Sequence, residues 1–412
     1  MSDKTILRDL VKEYASYASL PQQHINRENW KKLNSLQPVK PMVLIDQMPW
    51  NELNIDNELT SGCTDPFLRQ VEDSLRRDIY KWKHMPADMV LDPFIRIPKA
   101  MNYSGYGVQV KEKTLATSDS NAVLAHEFDD LIKNEEELRN FKVPKIVHDK
   151  KETLRRRALC SEMFGDILPV YMTGSVIYSH LWDAISTFRG VTPIYMDAAE
   201  KPEFLKKIID HFVRLHLSAI DQYEQEDLLE ANNLIHCTGA YTSDLPGTLR
   251  GPEESMTKLY TKNCWTCAAA QLFASVSPDM HYHLDIEPMM PVYERFGLVY
   301  YGCCEALDKK LDIVKKIPNV RKISISAWAD PVISAEQLQG AYVMSRKPSP
   351  AVLAGGMLDK EVVISDIKNT ITACKKNGTN CEIILKDIST VGNNPQTLFD
   401  WEKAVRSTIE SF

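Results

Sequence analysis

The sequence lacks a glycine-rich phosphate loop: neither GxGxxG nor GxxxxGKS/T occurs in its 412 residues, which counts against a dinucleotide or nucleoside-triphosphate enzyme. It also lacks an uninterrupted run of about 18 apolar residues, so no spanning helix is expected. Met1, Ser2, Asp3 and Lys4 begin no hydrophobic signal segment. Basic charge is not in surplus. The 49 Lys and Arg against 56 Asp and Glu leave a formal net charge of -7, with no footprint for nucleic acid or an anionic membrane. Internal repeats and low-complexity tracts are absent as well. What is present is ordinary for a globular chain: 44% hydrophobic and 25% charged residues, in a length that suits one large domain or two smaller ones. The nine cysteines are an odd number in a large chain without a signal segment, which predicts a reducing, cytoplasmic setting.

Patterning divides the chain into two parts. Residues 4–35 have helical spacing, Pro38 to Asp46 reads as an extended entry into a short strand, and residues 66–83 form a charged amphipathic helix. A strand over Met89–Ile97 follows, then a polar segment over Val110–Asp149 that reads as a surface excursion. From Asp166 onward strands alternate with helices. Strands are expected at Ile167–Met172, Leu228–His236, Leu298–Tyr301, Lys322–Ser326, Tyr342–Ser345 and Glu382–Leu385. Helices are expected near 176–186, 202–224, 252–275, 278–295, 306–316 and 395–411. Seven or eight such units predict an α/β protein, a (β/α)8 TIM barrel with a helical N-terminal extension. The division is 1–84 for the extension and 85–412 for the barrel.

In such a barrel the C-terminal ends of the strands form the active-site face. The Leu298–Tyr301 strand ends in Gly302, Cys303, Cys304 and Glu305. Adjacent thiols beside a carboxylate suggest a soft metal or a nucleophile. Successive side chains leave a strand on opposite faces, so one cysteine points inward while the other packs. His281 with Asp285, and His283 with Glu287, share helix faces and add candidate ligands, giving a metal set of His283, Cys303 and Cys304. Catalytic candidates are Glu305, Lys386 and Asp387, the last two an acid–base couple or a mutual ion pair. Substrate candidates are the aromatic walls Tyr301 and Trp328, the strand-end Asp330, and the cations Arg346 and Lys347, which suit a carboxylate or phosphate. Each also has a plain structural reading in loop chemistry or core packing. Cys264 and Cys267 form a lone CxxC on an expected helix, read as packing, and His236 with Cys237 is a weaker signal still.

Several segments together resemble a known family. Met163 to Val170, Phe188-Arg189-Gly190 before Asp197, Ser277 to Met280 and Glu294 to Gly297 are similar to the uroporphyrinogen decarboxylase superfamily. Tyr301 to Glu305, Ser324 to Asp330 and Leu385 to Thr390 resemble one bacterial branch of it, the uroporphyrinogen decarboxylase-like proteins associated with corrinoid-dependent methyl transfer in anaerobes. The similarity extends along nearly the whole chain. It implies a TIM barrel with one of two chemistries. The cofactor-free decarboxylases carry an arginine-rich MRQAGRY-like segment, which this sequence lacks. The methyltransferases hold zinc through His-x-Cys at one strand end and a later Cys. The matching positions here, Gly302-Cys303-Cys304 and Lys386-Asp387, lack that histidine and that later cysteine.

The resemblance therefore implies a zinc-assisted methyltransferase that takes a methyl group from an O- or N-methylated small molecule. A methoxylated aromatic undergoing O-demethylation is the favoured donor. The cobalamin motif DxHxxG is absent, so the corrinoid would be supplied by a separate partner protein. Members of the superfamily are often homodimers. A metal-free lyase using Lys386, Asp387 and Arg346, and a non-catalytic ligand-binding barrel, are the alternatives.

Overall fold

In the computed structural model, which describes residues 2–116, 124–231 and 233–412, the chain is an α/β protein built on short parallel strands. These are β1 (Met42–Ile45), β2 (Ile95–Pro98), β3 (Val170–Thr173), β4 (Trp265–Ala268), β5 (Leu298–Tyr301), β6 (Val320–Ile325), β7 (Val343–Arg346) and β8 (Asn380–Leu385). Six of them form one sheet in the order β1-β8-β7-β6-β5-β4, and β2 pairs with β3 separately. Single bridges tie the segment after β3 to Leu229 through Ser175 and to β4 of the main sheet through Tyr178 and Cys267. The hydrogen-bonded strands do not close into one ring among the described residues.

Every residue of β1, β4, β5 and β7 is buried, as expected of parallel strands covered on both faces. Strand parity then sorts their side chains. On β5, Tyr301 joins the cluster of Ile286, Met289 and Tyr293 on the helix side. Tyr300 joins Trp265, Cys267 and Ile235 on the other. That second side also contains a fully buried ion pair, Lys322 Nζ to Glu382 Oε2 at 2.6 Å. The same ammonium donates to the Thr238 hydroxyl at 3.1 Å and to the Gly239 carbonyl at 2.9 Å. A buried pair needs such added donors and acceptors to offset its desolvation, and here they tie the 234–239 turn to the sheet.

The N-terminal region contains helices at Asp3–Ala18, Pro21–Asn34 and Pro66–His84. The expected single helix over 4–35 is two, because Ser19 and Leu20 leave the helix and Pro21 starts the next at its favoured first position. Residues 1–84 also contribute β1 to the main sheet, where Met42–Ile45 pair with Glu382–Leu385. Asn34 Nδ2 reaches the carbonyls of Gly239 and Tyr241, so these helices brace the 234–239 turn.

Several expected elements differ. The helix over 252–275 is replaced by short 3-10 turns and by β4, and the lone CxxC straddles the start of that strand. A short buried apolar run does not reveal its period, and sheet pairing with β5 decides it. The helix expected at 176–186 starts only at Leu181, leaving 174–180 extended. The 306–316 helix shrinks to Leu311–Val314. Among the described residues, Leu228–His236 contributes a single bridge at Leu229 and a two-residue pairing of Leu234–Ile235 with Thr238–Gly239. Of the surface excursion, Glu112–Ala116 and Leu124–Phe128 form an antiparallel pair, residues 117–123 lie outside the described residues, and Ile132, Leu138 and Phe141 are buried in the core.

Candidate functional site

Because the main strands are parallel, the residues just beyond their C-terminal ends share one edge of the sheet, and a cavity of about 480 Å³ opens there. Asp46 follows β1, Cys303 and Cys304 follow β5, and Lys386 and Asp387 follow β8; all line it. His180, Asp183, His236 and Cys237 complete much of the wall.

Gly302 makes the turn out of β5 possible. Its φ is 98°, and a Cβ there would lie 2.6 Å from Leu307 Cδ1 and 2.9 Å from Ser324 Cβ, so only glycine fits. Glu305 then fixes the loop: its buried carboxylate accepts from the Cys303 N–H at 2.8 Å and the Ala270 N–H at 3.2 Å. Burial pushes this carboxyl up against the pull of those N–H groups. Glu305 is therefore a positioning residue, turned away from the cavity it shapes.

The two thiols lie 3.5 Å apart. Lys386 Nζ is 3.3 Å from Cys303 Sγ, 3.7 Å from Cys304 Sγ and 2.6 Å from Asp387 Oδ2, which also accepts from Cys304 at 3.1 Å. The contact from Cys304 leads in drawing Cys303 toward thiolate; burial opposes it, and His236 and Lys386 reinforce it. The same contact drives the Cys304 thiol upward. Burial works against the Lys386 ammonium, but Cys303 and Asp387 outweigh it and raise its pKa.

Beside these thiols stands a group that the sequence signals poorly. His180, His236 and Cys267 place one ligand atom each within 4.8 Å of one another. His180 Nε2 is 3.4 Å from Cys267 Sγ, and its Nδ1 is 3.2 Å from Asp183 Oδ2. Two ligands on a tetrahedral zinc, one nitrogen and one sulfur, stand about 3.5 Å apart. A carboxylate on the far ring nitrogen is the usual way to orient a metal-binding histidine. His236 Nε2 is buried without a hydrogen-bond partner, and burial pulls the ring's pKa down against a side-chain contact with Cys303 that raises it. The donor set fits a zinc-type ion.

Local backbone explains how these residues meet. The Ser179 N–H donates to the Cys267 carbonyl at 2.7 Å, which sets the extended 174–180 segment beside β4 and carries His180 to the edge. His236 and Cys237 are the central residues of the two-residue turn, at φ 43° and 69°. Such turns normally use Asn-Gly or Gly-Gly, so a histidine and a cysteine held there carry backbone strain that the Lys322 and Asn34 contacts sustain. Asp387, at φ 57°, and Gln47, at φ 50°, are further left-handed residues on this wall. A left-handed pair without glycine leaves no sequence signature, and this is why the cluster is missed.

Other expected site residues fall elsewhere. His283 is exposed on the helical segment after Pro278, its ring paired with Glu287 at 2.7 Å and Asp279 at 3.5 Å, and it does not line the cavity with the cysteines. Tyr301 faces the helix layer, donating to Asp285 at 2.6 Å with its oxygen 2.7 Å from His281 Nε2, so Tyr300 is the tyrosine turned inward. Trp328 is 82% exposed and does not line this cavity. Asp330 caps the Pro331–Leu338 helix through the Val332 and Ile333 N–H groups. Arg346 has outward parity and binds the Ser326 carbonyl and Asp366. Lys347, one residue on, turns inward to Ser324 Oγ at 2.6 Å and to the Tyr300 hydroxyl. Burial, then Lys386, lowers its pKa, with Cys303 opposing.

No protein-family model matches the chain, and no curated protein matches it. Among solved structures it is similar in fold to a methyltransferase from Methanosarcina mazei, with a TM-score of 0.54 and 11% sequence identity over 94% of this chain and 98% of that one. No helix among the described residues is long and apolar enough to cross a membrane.

Proposed function

We propose that this protein is the methyltransferase component of a corrinoid-dependent system, with zinc held by His180, His236 and Cys267. It moves a methyl group from an O- or N-methylated small molecule, methoxylated aromatics foremost, to a separate corrinoid protein. One observation carries the reading: two imidazoles on the wall of an open cavity converge with the buried Cys267 thiol behind them, and one imidazole has a buried nitrogen that lacks a partner. The fold likeness to a methyltransferase supports it. On this reading the parallel strands are arcs of a closed (β/α)8 barrel spanning 85–412. Residues 1–84 pack against it and lend it β1, and the cavity is its mouth.

Bound zinc would supply Lewis acidity, polarising the heteroatom that bears the methyl group. The chain's own residues do the rest. Asp183 holds the His180 tautomer that leaves Nε2 free to ligate. Lys386, fixed by Asp387, presents a proton toward the cavity for the heteroatom left when the methyl departs. Glu305 and Gly302 keep the 303–304 loop in register with Lys386. A cavity of about 480 Å³ falls within the range that encloses a single-ring donor.

The test is metal analysis of the wild type and of His180→Ala, His236→Ala and Cys267→Ala, beside methylation of cobalt(I) corrinoid followed by its absorbance. The wild type is expected to hold about one zinc per chain. Each variant should lose it, and a chelator should stop methylation from methyl ethers or methylamines. Zinc-free protein that methylates cobalt from neither donor class overturns the reading. A cofactor-free decarboxylase is favoured by one feature, the buried cations Lys347 and Lys386 beside Cys303. Turnover of a carboxylated substrate that survives chelation would select it.

A further inference from the structure

The metal cluster leaves Cys303 and Cys304 unused, and their geometry differs from that of a disulfide pair. Consecutive Cα atoms are about 3.8 Å apart across a trans peptide, whereas disulfides need about 4.4 Å or more. Closing an S–S bond between neighbours therefore distorts the backbone, and here Gly302 and the Glu305 carboxylate hold that backbone rigidly. A single atom placed between the two sulfurs enlarges the ring by one member and relieves the distortion. The sulfurs, 3.5 Å apart, lie within reach of one atom bonded to both. Both line the cavity. Cys304 donates to Asp387, which can relay its proton to a departing oxygen, and Lys386 contacts both sulfurs.

We propose that Cys303 and Cys304 form a dithiol site for a thiophilic electrophile with two exchangeable valences, a trivalent organoarsenical, adjoining the His180–His236–Cys267 cluster through the contact of Cys303 with His236 but sharing no ligand with it. For an arsenoxide R–As=O, both sulfurs form bonds to arsenic, the As=O bond is lost, and its oxygen leaves as water with the two thiol protons. Arsenic stays trivalent, so no oxidant or reductant is required. Sulfur is the donor such soft centres prefer. The site does not depend on the methyltransferase reading, because it uses neither the metal ligands nor a methyl donor.

The experiment titrates the full-length, reduced protein with phenylarsine oxide and reads intact mass and peptide maps. The wild type should take up one phenylarsenic on the 303–304 peptide, removable by a dithiol but not by an equal excess of a monothiol. Closing a second bond within one site adds an effective concentration worth roughly a hundredfold in retention. Cys303→Ser and Cys304→Ser should each lose about that factor. Cys374→Ser, in a buried thiol far along the chain, should retain the adduct and serves as the folding control. An adduct that maps elsewhere, persists in both serine variants, or is released from the wild type by monothiol alone overturns the proposal.

Discussion

Strand β5 separates two clusters made from the same kinds of residue. On the helix side His281, Tyr301 and Asp285 form a sealed network; all three are buried, and the tyrosine hydroxyl joins the other two. On the other side, past Tyr300, stand His180, His236 and Cys267, each lining the cavity or touching a residue that does. The sealed cluster satisfies its tyrosine and carboxylate internally, and although His281 Nδ1 has no partner it is closed off from the cavity, so the cluster serves stability. The open cluster also leaves a nitrogen, His236 Nε2, without a partner, but its two histidines line the cavity and so have a ligand position to offer. Histidine beside carboxylate, even with an unfilled nitrogen, is thus no signature of chemistry. Access is.

The comparison is most sharply tested by the open cluster. His236→Ala should abolish zinc retention and lower cobalt methylation at least about a hundredfold, since a missing ligand removes the ion outright, with the thermal midpoint little changed. Asp183→Asn should act through His180, weakening zinc binding by roughly 10- to 100-fold in a competitive chelator titration.

The sealed cluster should respond in the opposite sense. Tyr301→Phe removes the hydroxyl that serves both Asp285 and His281, so it should cost about 1–3 kcal/mol in urea unfolding and leave zinc content unchanged. If that variant loses zinc instead, the two sides of β5 are coupled and the division fails.

The same network shapes the pH dependence. Burial pushes the Asp285 carboxyl up to about 7, so the folded chain keeps a proton the unfolded chain has released. Its contribution is fully present below about pH 4 and is lost as pH rises toward 7. Burial pulls His281 down to about 3, so its contribution runs the other way, growing as pH rises through the ordinary histidine range. The two limbs oppose each other in acid. Asp285→Asn removes the first, so urea midpoints of the variant should rise relative to wild type between about pH 5 and 7 and run parallel above. Smallest of all is His283→Ala, whose exposed ring pairs with Asp279 and Glu287 and meets the neighbouring Tyr282 ring, and which should change neither zinc content nor the urea midpoint.

Much of the strand layout is legible in the sequence. Leu298–Tyr301 and the stretch within Asn380–Leu385 are short apolar runs bounded by polar turns, and the helix beginning at Pro66 has a clear apolar stripe and an Asp65 cap. Cys303, Cys304, Lys386 and Asp387 are legible as neighbours too, because parallel strands bring their ends to one edge. The helix 252–275 is not, since its buried run fits either period until β5 pairs with it. Nor are Tyr301 and Arg346 as bystanders: a one-residue change of parity decides which side a strand residue faces, and the sequence fixes parity only where one face is polar.

His180 and His236 mark the limit. By itself the chain's pattern of apolar runs determined that parallel strands would gather thiols and a lysine–aspartate couple at one edge. Only the tertiary structure decided which side chains share a ligand position, because His180, His236 and Cys267 arrive from an extended segment, a strained turn and a buried strand that are distant along the chain. Their meeting depends on the Ser179 contact with β4 and on Lys322 and Asn34 gripping the turn, contacts that exist only once the fold has formed.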